Sequence, residues 1–208
     1  LRDAIKPNLA QTAEGQPTIV HMGPFGNIAH GCSSIIADKL AVNCGEYVIT
    51  EAGFGADLGF EKFMDIKVRQ GGPKPSAAVV VATIRGLKWH GGVAIKDMTA
   101  TNPEAVRRGA ENLKNALRIV GLYGLPAVVA INRFPTDSPE EIAVVKEVAM
   151  DSGAIGVEEA KGFAEGGDGM VDLANAVVEA ANQPSDVKLL YEDDDDYFDK
   201  VETMAKSL

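Results

Sequence analysis

The chain has 208 residues, 46% hydrophobic and only 6% aromatic, with 22 glycines. That is enough for one large domain or two small ones, and the glycines suit a sheet with many tight turns. Its formal net charge of −10 argues against nucleic acid as a partner, because a phosphate backbone needs a cationic surface.

Two cysteines, Cys32 and Cys44, imply no disulfide framework and fit a reducing cytoplasm. Both read as small buried hydrophobes. No apolar run reaches the roughly 18 residues of a membrane span, and no signal-peptide pattern is visible.

Residues 1–16 read as a lead-in, 17–183 as an α/β core and 184–208 as an extension. Pro17 to Met22 is a short strand. A Gly-rich loop at 23–27 leads into a helix from about Ile28 to Asn43. That helix is apolar at Ile35, Ile36, Leu40 and Ala41 and is closed by Gly45. Tyr47 to Thr50 is a second strand, EAGFGADLG (51–59) a loop, and Leu58 to Arg69 a helix broken by Gly71-Gly72-Pro73. Ala77 to Thr83 is the most strand-like run, and IRGLKWHGG (84–92) reads as a loop after it.

Asn102 and Pro103 open a helix to Val120 as N-cap and first residue. Ala127 to Asn132 is a fourth strand. Ser138 caps a helix from Pro139 to Ser152, whose two leading glutamates favour its positive end. Ala154 to Val157 is a fifth strand, and EGGDG (165–169) leads into a helix from Met170 to Ala181. The acidic run Glu192 to Asp196 opens a terminal helix and is assigned no chemistry. Strands recurring about every 30 residues predict an α/β fold, a mostly parallel sheet with helices on both faces.

The loops after the strands then share one sheet edge, where ligands bind in such folds. In AVVAINRFPTD, 127–137, Asn132 and Asp137 can hydrogen-bond a heterocycle. Phe134 can stack on one, and Pro135 stiffens the loop. Phe163 sits beyond the last strand and could form the second side of a clamp. Phe54, between Gly53 and Gly55, is hard to explain as core, and Asp57 reads either as a ligand or as a helix cap. Arg85, Lys88 and His90 would suit an anion; the alternative is a solvated surface with Trp89 as an apolar plug. Gly91 and Gly92 show no packing reason of their own and favour the first reading. His21 and His30 read as packed, hydrogen-bonded histidines. No metal site is expected, and no Gly-x-x-x-x-Gly-Lys-Ser/Thr phosphate loop occurs.

Several long, co-linear strings carry a resemblance: KPNLAQT, HMGPFGNIAHG, EAGFGADLGFEKFMDIK, VVATIRGLKWHGG, GLPAVVAINRFPTD and FAEGGDG. Together they resemble formate–tetrahydrofolate ligase. The family signature VATxRALKxHGG is matched by Val81 to Gly92, with Gly86 where alanine is usual. The resemblance implies a P-loop NTPase-like (Rossmann-like) architecture. It also implies synthesis of 10-formyltetrahydrofolate from formate, ATP and tetrahydrofolate through formyl phosphate, with Mg2+ and a monovalent cation, K+ or NH4+. It assigns Phe134, Pro135 and Phe163 to folate, with Phe163 where the family usually has tryptophan. Gly53, Phe54, Gly55, Asp57 and Asn132 go to the nucleotide.

The parent enzyme is expected to be a cytoplasmic homo-oligomer acting on small molecules. The alternative is a non-catalytic α/β module that binds nucleotide or folate. The family's phosphate loop lies upstream of the matched segment, and the start at Leu1 fits a piece of a longer enzyme. The isolated 208-residue chain is therefore predicted not to turn over. A coupled ADP-release assay checks this, and ATP-dependent formyl transfer by the chain alone would contradict it.

Overall fold

Three parallel strands carry the larger part of the fold in the computed structural model, which describes residues 2–3, 5–21 and 32–208. The chain divides into two compact units, one of Leu1–Lys74 with Leu189–Lys206 and one of Pro75–Lys188 with Ser207–Leu208.

In the first unit, β1 (Asn8–Gln11) and β2 (Pro17–Val20) form an antiparallel hairpin. The predicted lead-in thus contains a strand, and β2 is not part of a parallel sheet. The turn explains why: Gly15 takes a φ of 85° and its amide bonds the Thr12 carbonyl, which folds the chain straight back. Helix α1 (Ile35–Val42) starts at Ser34, whose side chain accepts from the Ala37 amide. The predicted start at 28–31 and His30 lie outside the described residues. Ile36 and Leu40, predicted as interior, are exposed, and Ala37 and Asp38 are buried instead.

Tyr47 to Thr50 forms no strand, and Ile49 is exposed. An isolated extended segment gains no ladder bonds, and no pairing for it occurs among the described residues. The next helical segments, Ala56–Phe60 and Phe63–Val68, have the wide turns of a π-helix. Asp38 on α1 and Lys67 there form a buried ion pair at 2.5 Å. Arg69 stacks on Tyr191 and pairs with Asp193, tying the acidic run to this unit.

In the second unit, β3 (Ala78–Ala82), β4 (Ala127–Asn132) and β5 (Gly156–Ala160) are parallel in the order β3-β4-β5. Val128, Val129 and Ile131 of the central strand are completely buried, as a β-branched run covered on both faces should be. Each such side chain contributes about 1.5–3 kcal/mol. Helix α7 (Val171–Ala181) packs Leu173 and Ala180 against Val128 and Ala130. The short helix α6 (Gly162–Glu165) precedes it; α8 (Tyr197–Ser207), which ends the chain, lies up to Lys206 in the first unit.

IRGLKWH is not a loop but helix α2 (Ile84–His90), because the Thr83 side chain caps it by accepting from the Gly86 amide. The predicted helix from Pro103 is two, α3 (Pro103–Gly109) and α4 (Glu111–Leu122), with Ala110 between them. Helix α5 (Pro139–Asp151) has the full capping box of Ser138 and Glu141.

Glycines bring α2 and α3 together backbone to backbone. A Cβ on Gly91 would lie 2.0 Å from the Ala105 carbonyl oxygen, and one on Gly109 1.8 Å from that of Leu87. Gly91 therefore has a packing reason that its sequence context does not show. We predict that Gly109→Ala destabilises the unit by about 3 kcal/mol or more, since rigid backbone must move apart. Denaturant unfolding checks this, and a loss below about 1 kcal/mol would contradict the close crossing.

Candidate functional site

The carboxyl ends of β3 and β4 open into a groove of about 440 Å³. Thr83, Arg85, Gly86 and Trp89 line it from α2 and its cap, Ile95 and Met98 from the segment that follows, and Phe134 from the loop after β4. Trp89 is 55% exposed and Phe134 40% exposed. Large aromatic rings left half in solvent around a concave surface are what a planar ligand needs.

The Phe134 loop is held from within. The Phe134 amide donates to Asp137 Oδ2 at 2.8 Å, and the Asp137 amide bonds the Phe134 carbonyl. Burial pushes the Asp137 carboxyl above its ordinary range, against the Phe134 hydrogen bond and nearby Arg133. Arg133 in turn pairs with Glu159 on β5. Asp137 therefore serves the loop, Asn132 is exposed at the end of β4, and Pro135 is exposed beside Phe134.

Behind the groove lies an ion pair. Lys88 is 2% exposed and Glu141 0%. Lys88 Nζ donates to Glu141 Oε1 at 2.9 Å and to the Ala100 carbonyl at 3.0 Å. The Asn102 amide donates to the same Oε1 at 2.8 Å, and the Ser138 amide to Oε2 at 3.1 Å. Burial raises the Glu141 pKa. The bonds from the Asn102 amide, the Lys88 ammonium and the Ser138 amide outweigh that and hold it below the ordinary 4.5.

Lys88 is thus not available to a solvent anion, and the three predicted cationic residues do not form one cluster. Arg85 lines the groove, while His90 is exposed at the end of α2 and does not. The strand ends bearing Phe134 and Phe163 are neighbours, as predicted, but the Phe163 ring is fully exposed and does not line the groove. Sequence reasoning missed Thr83, Ile95 and Met98. The Thr83 cap, three residues before Gly86, was the signal for the helix that brings them together.

The other unit holds the second predicted loop. Gly53 and Phe54 both take positive φ, 67° and 53°. For a phenylalanine this is a strained backbone worth about 1 kcal/mol or more. The ring is exposed with Lys62 Nζ 5.7 Å above it. Gly55 is the helix N-cap and the Asp57 side chain makes no cap bond, so the capping role predicted as its alternative is not filled. His21 Nδ1 lies 2.7 Å from Ser34 Oγ, the packed role expected of it. Among the described residues no group of three or more His, Cys, Asp or Glu could hold a metal, and no helix is long and apolar enough to cross a membrane.

A parallel sheet flanked by helices, with an aromatic groove at its carboxyl edge, defines an α/β protein of Rossmann-like architecture. Comparison with known proteins makes this specific. The family model "Formate–tetrahydrofolate ligase" matches residues 1–208, and the chain belongs to that family. It is 53% identical over 213 residues to a formate–tetrahydrofolate ligase of Roseiflexus sp. (strain RS-1), covering 99% of this chain. It is 52% identical to those of Sphingobium sp. and Symbiobacterium thermophilum, over 100% and 99% of this chain. The chain spans 38%, 37% and 37% of the length of these relatives.

The depressed Glu141 pKa has a sign for stability. The contribution is full above the ordinary value of 4.5 and is lost as pH falls through the lower folded value. Glu141→Gln should therefore be clearly less stable than wild type at about pH 7, with the gap narrowing towards about pH 3. Urea unfolding at both pH values checks this, and a gap that does not change would contradict it.

Proposed function

We propose that this chain is the folate-side segment of an ATP-dependent ligase that forms 10-formyltetrahydrofolate from formate, ATP and tetrahydrofolate, releasing ADP and phosphate. The observation that carries the reading is the groove, with Phe134 and Trp89 on its walls at a parallel sheet edge, in a chain of this family. A pterin is flat and mostly apolar on its faces. Stacking on an aromatic side chain contributes about 0.5–1.5 kcal/mol beyond area burial.

Phe134 offers that face, and Pro135 limits the motion of its loop. Arg85, on the groove wall, supplies a positive charge for a carboxylate or phosphate of the ligand. Phe163, fully exposed at the exit of the neighbouring strand, is assigned to the same ligand by the family resemblance. In the other unit, the strained loop of Gly53, Phe54 and Gly55, with Asp57 after it, is assigned to the nucleotide. Asn132, which the family resemblance also assigns to the nucleotide, is exposed at the end of β4 in the second unit.

In the ligase, the γ-phosphate of ATP passes to formate. The folate N10 then attacks the carbonyl carbon of formyl phosphate, the C–O bond to phosphate breaks, and the amine proton is lost. The residues of this segment bind and orient, and such positioning accounts for a large part of the rate in a bimolecular transfer. Mg2+ would come bound to the ATP phosphates. A requirement for K+ or NH4+, homo-oligomeric assembly and a cytoplasmic location belong to the same reading.

Isothermal calorimetry of tetrahydrofolate with this chain tests it. Binding is expected, and Phe134→Ala should weaken it by about 1 kcal/mol or more. Binding that is unchanged in Phe134→Ala would contradict the stacking site, and no binding at all would contradict a folate site contained in this segment.

A further inference from the structure

We infer that the buried Lys88–Glu141 pair is a positioning device that sets the spacing between the walls of the ligand groove. The inference rests on reading that groove as a ligand site. Three separate segments line it: one carries Lys88 itself, and the other two are hydrogen-bonded to the pair. Lys88 is adjacent to Trp89 on α2, the helix that also carries Arg85. Lys88 Nζ and Glu141 Oε1 hold the Ala100 carbonyl and the Asn102 amide, which end the segment containing Ile95 and Met98. Glu141 Oε2 holds the Ser138 amide, next to Asp137, whose carboxylate fixes the Phe134 amide. The Trp89, Ile95–Met98 and Phe134 walls thus meet at one carboxylate.

Stability alone does not account for this choice. A buried ion pair is often no more stabilising than apolar residues of the same volume. What a hydrogen-bonded pair adds is direction: each bond has a fixed length and angle, and side chains packed only by apolar contact can slide. Neither Lys88 nor Glu141 lines the groove, so the role argued for them is positioning. Their action is on the residues that are proposed to touch the ligand.

Trp89 is the only tryptophan in the chain and reports on the groove without any ligand. The test compares wild type with the double variant Lys88→Met/Glu141→Gln, which removes both charges and leaves neither unpaired. Circular dichroism checks that it is folded. The expected result is a changed Trp89 emission maximum and acrylamide quenching constant, with tetrahydrofolate affinity lower by about 10- to 100-fold, the scale of an ångström-sized misplacement. Lys88→Arg keeps the charge but moves its head group, and should shift Trp89 less and in the same direction. It decides the matter if the double variant does not fold.

A folded variant with the emission and quenching of wild type would overturn the proposal. If wild-type Trp89 does not respond to tetrahydrofolate, the folate reading fails. The ligand-free comparison still decides whether the pair positions the groove.

Discussion

A lysine ammonium and a glutamate carboxylate, both out of water, are the constraint around which the second unit is arranged. Removing two charges from water costs several kcal/mol per ion, and their attraction compensates only where further hydrogen bonds support the pair. Here Glu141 accepts from Lys88, Asn102 and Ser138, and Lys88 donates also to Ala100. The pair therefore demands that α2, the N-terminus of α3 and the N-terminus of α5 arrive together. Gly91 and Gly109 let the first two approach to backbone contact. The walls of the groove come from the same segments that carry the pair or bond to it.

Much of this unit was legible in the sequence. The β-branched runs at β3 and β4 announce buried parallel strands, and Asn102-Pro103 and Ser138-Pro139 announce helix starts through capping chemistry. Phe134 was legible as a residue of the sheet edge because an aromatic in a polar loop after a strand end has little packing reason, and it lines the groove there. Other features were not. Glu141 reads as an ordinary capping-box glutamate, and nothing local shows that its second oxygen bonds a lysine 53 positions earlier. For the same reason Lys88 reads as a free cation. Helix α2 was hidden because Gly86 and the Gly91-Gly92 pair resemble loop composition. The Tyr47 to Thr50 strand and the order of β1 and β2 depend on which segments pair, and hydrophobic pattern does not reveal that.

The first unit carries a different signal. Phe54 holds a backbone conformation that phenylalanine avoids, within a Gly-rich loop that leads into helical turns of unusual width. Both features cost energy and recur at functional sites. They mark the same residues that the family resemblance assigns to the nucleotide. Sequence alone could nominate Phe54, since a glycine on each side left no core role for it, but the strain itself is visible only in the fold.

A Lys88–Glu141 junction that sets the groove is a rigid point and not one contact among many. Native-state hydrogen exchange of the Asn102 and Ser138 amides tests it most directly, since both donate to Glu141. If the junction holds the unit together, both amides exchange only through unfolding of the whole unit, with the same opening free energy as the buried amides of β4. If they exchange through local fluctuations while β4 stays protected, the junction opens on its own and does not hold the unit together.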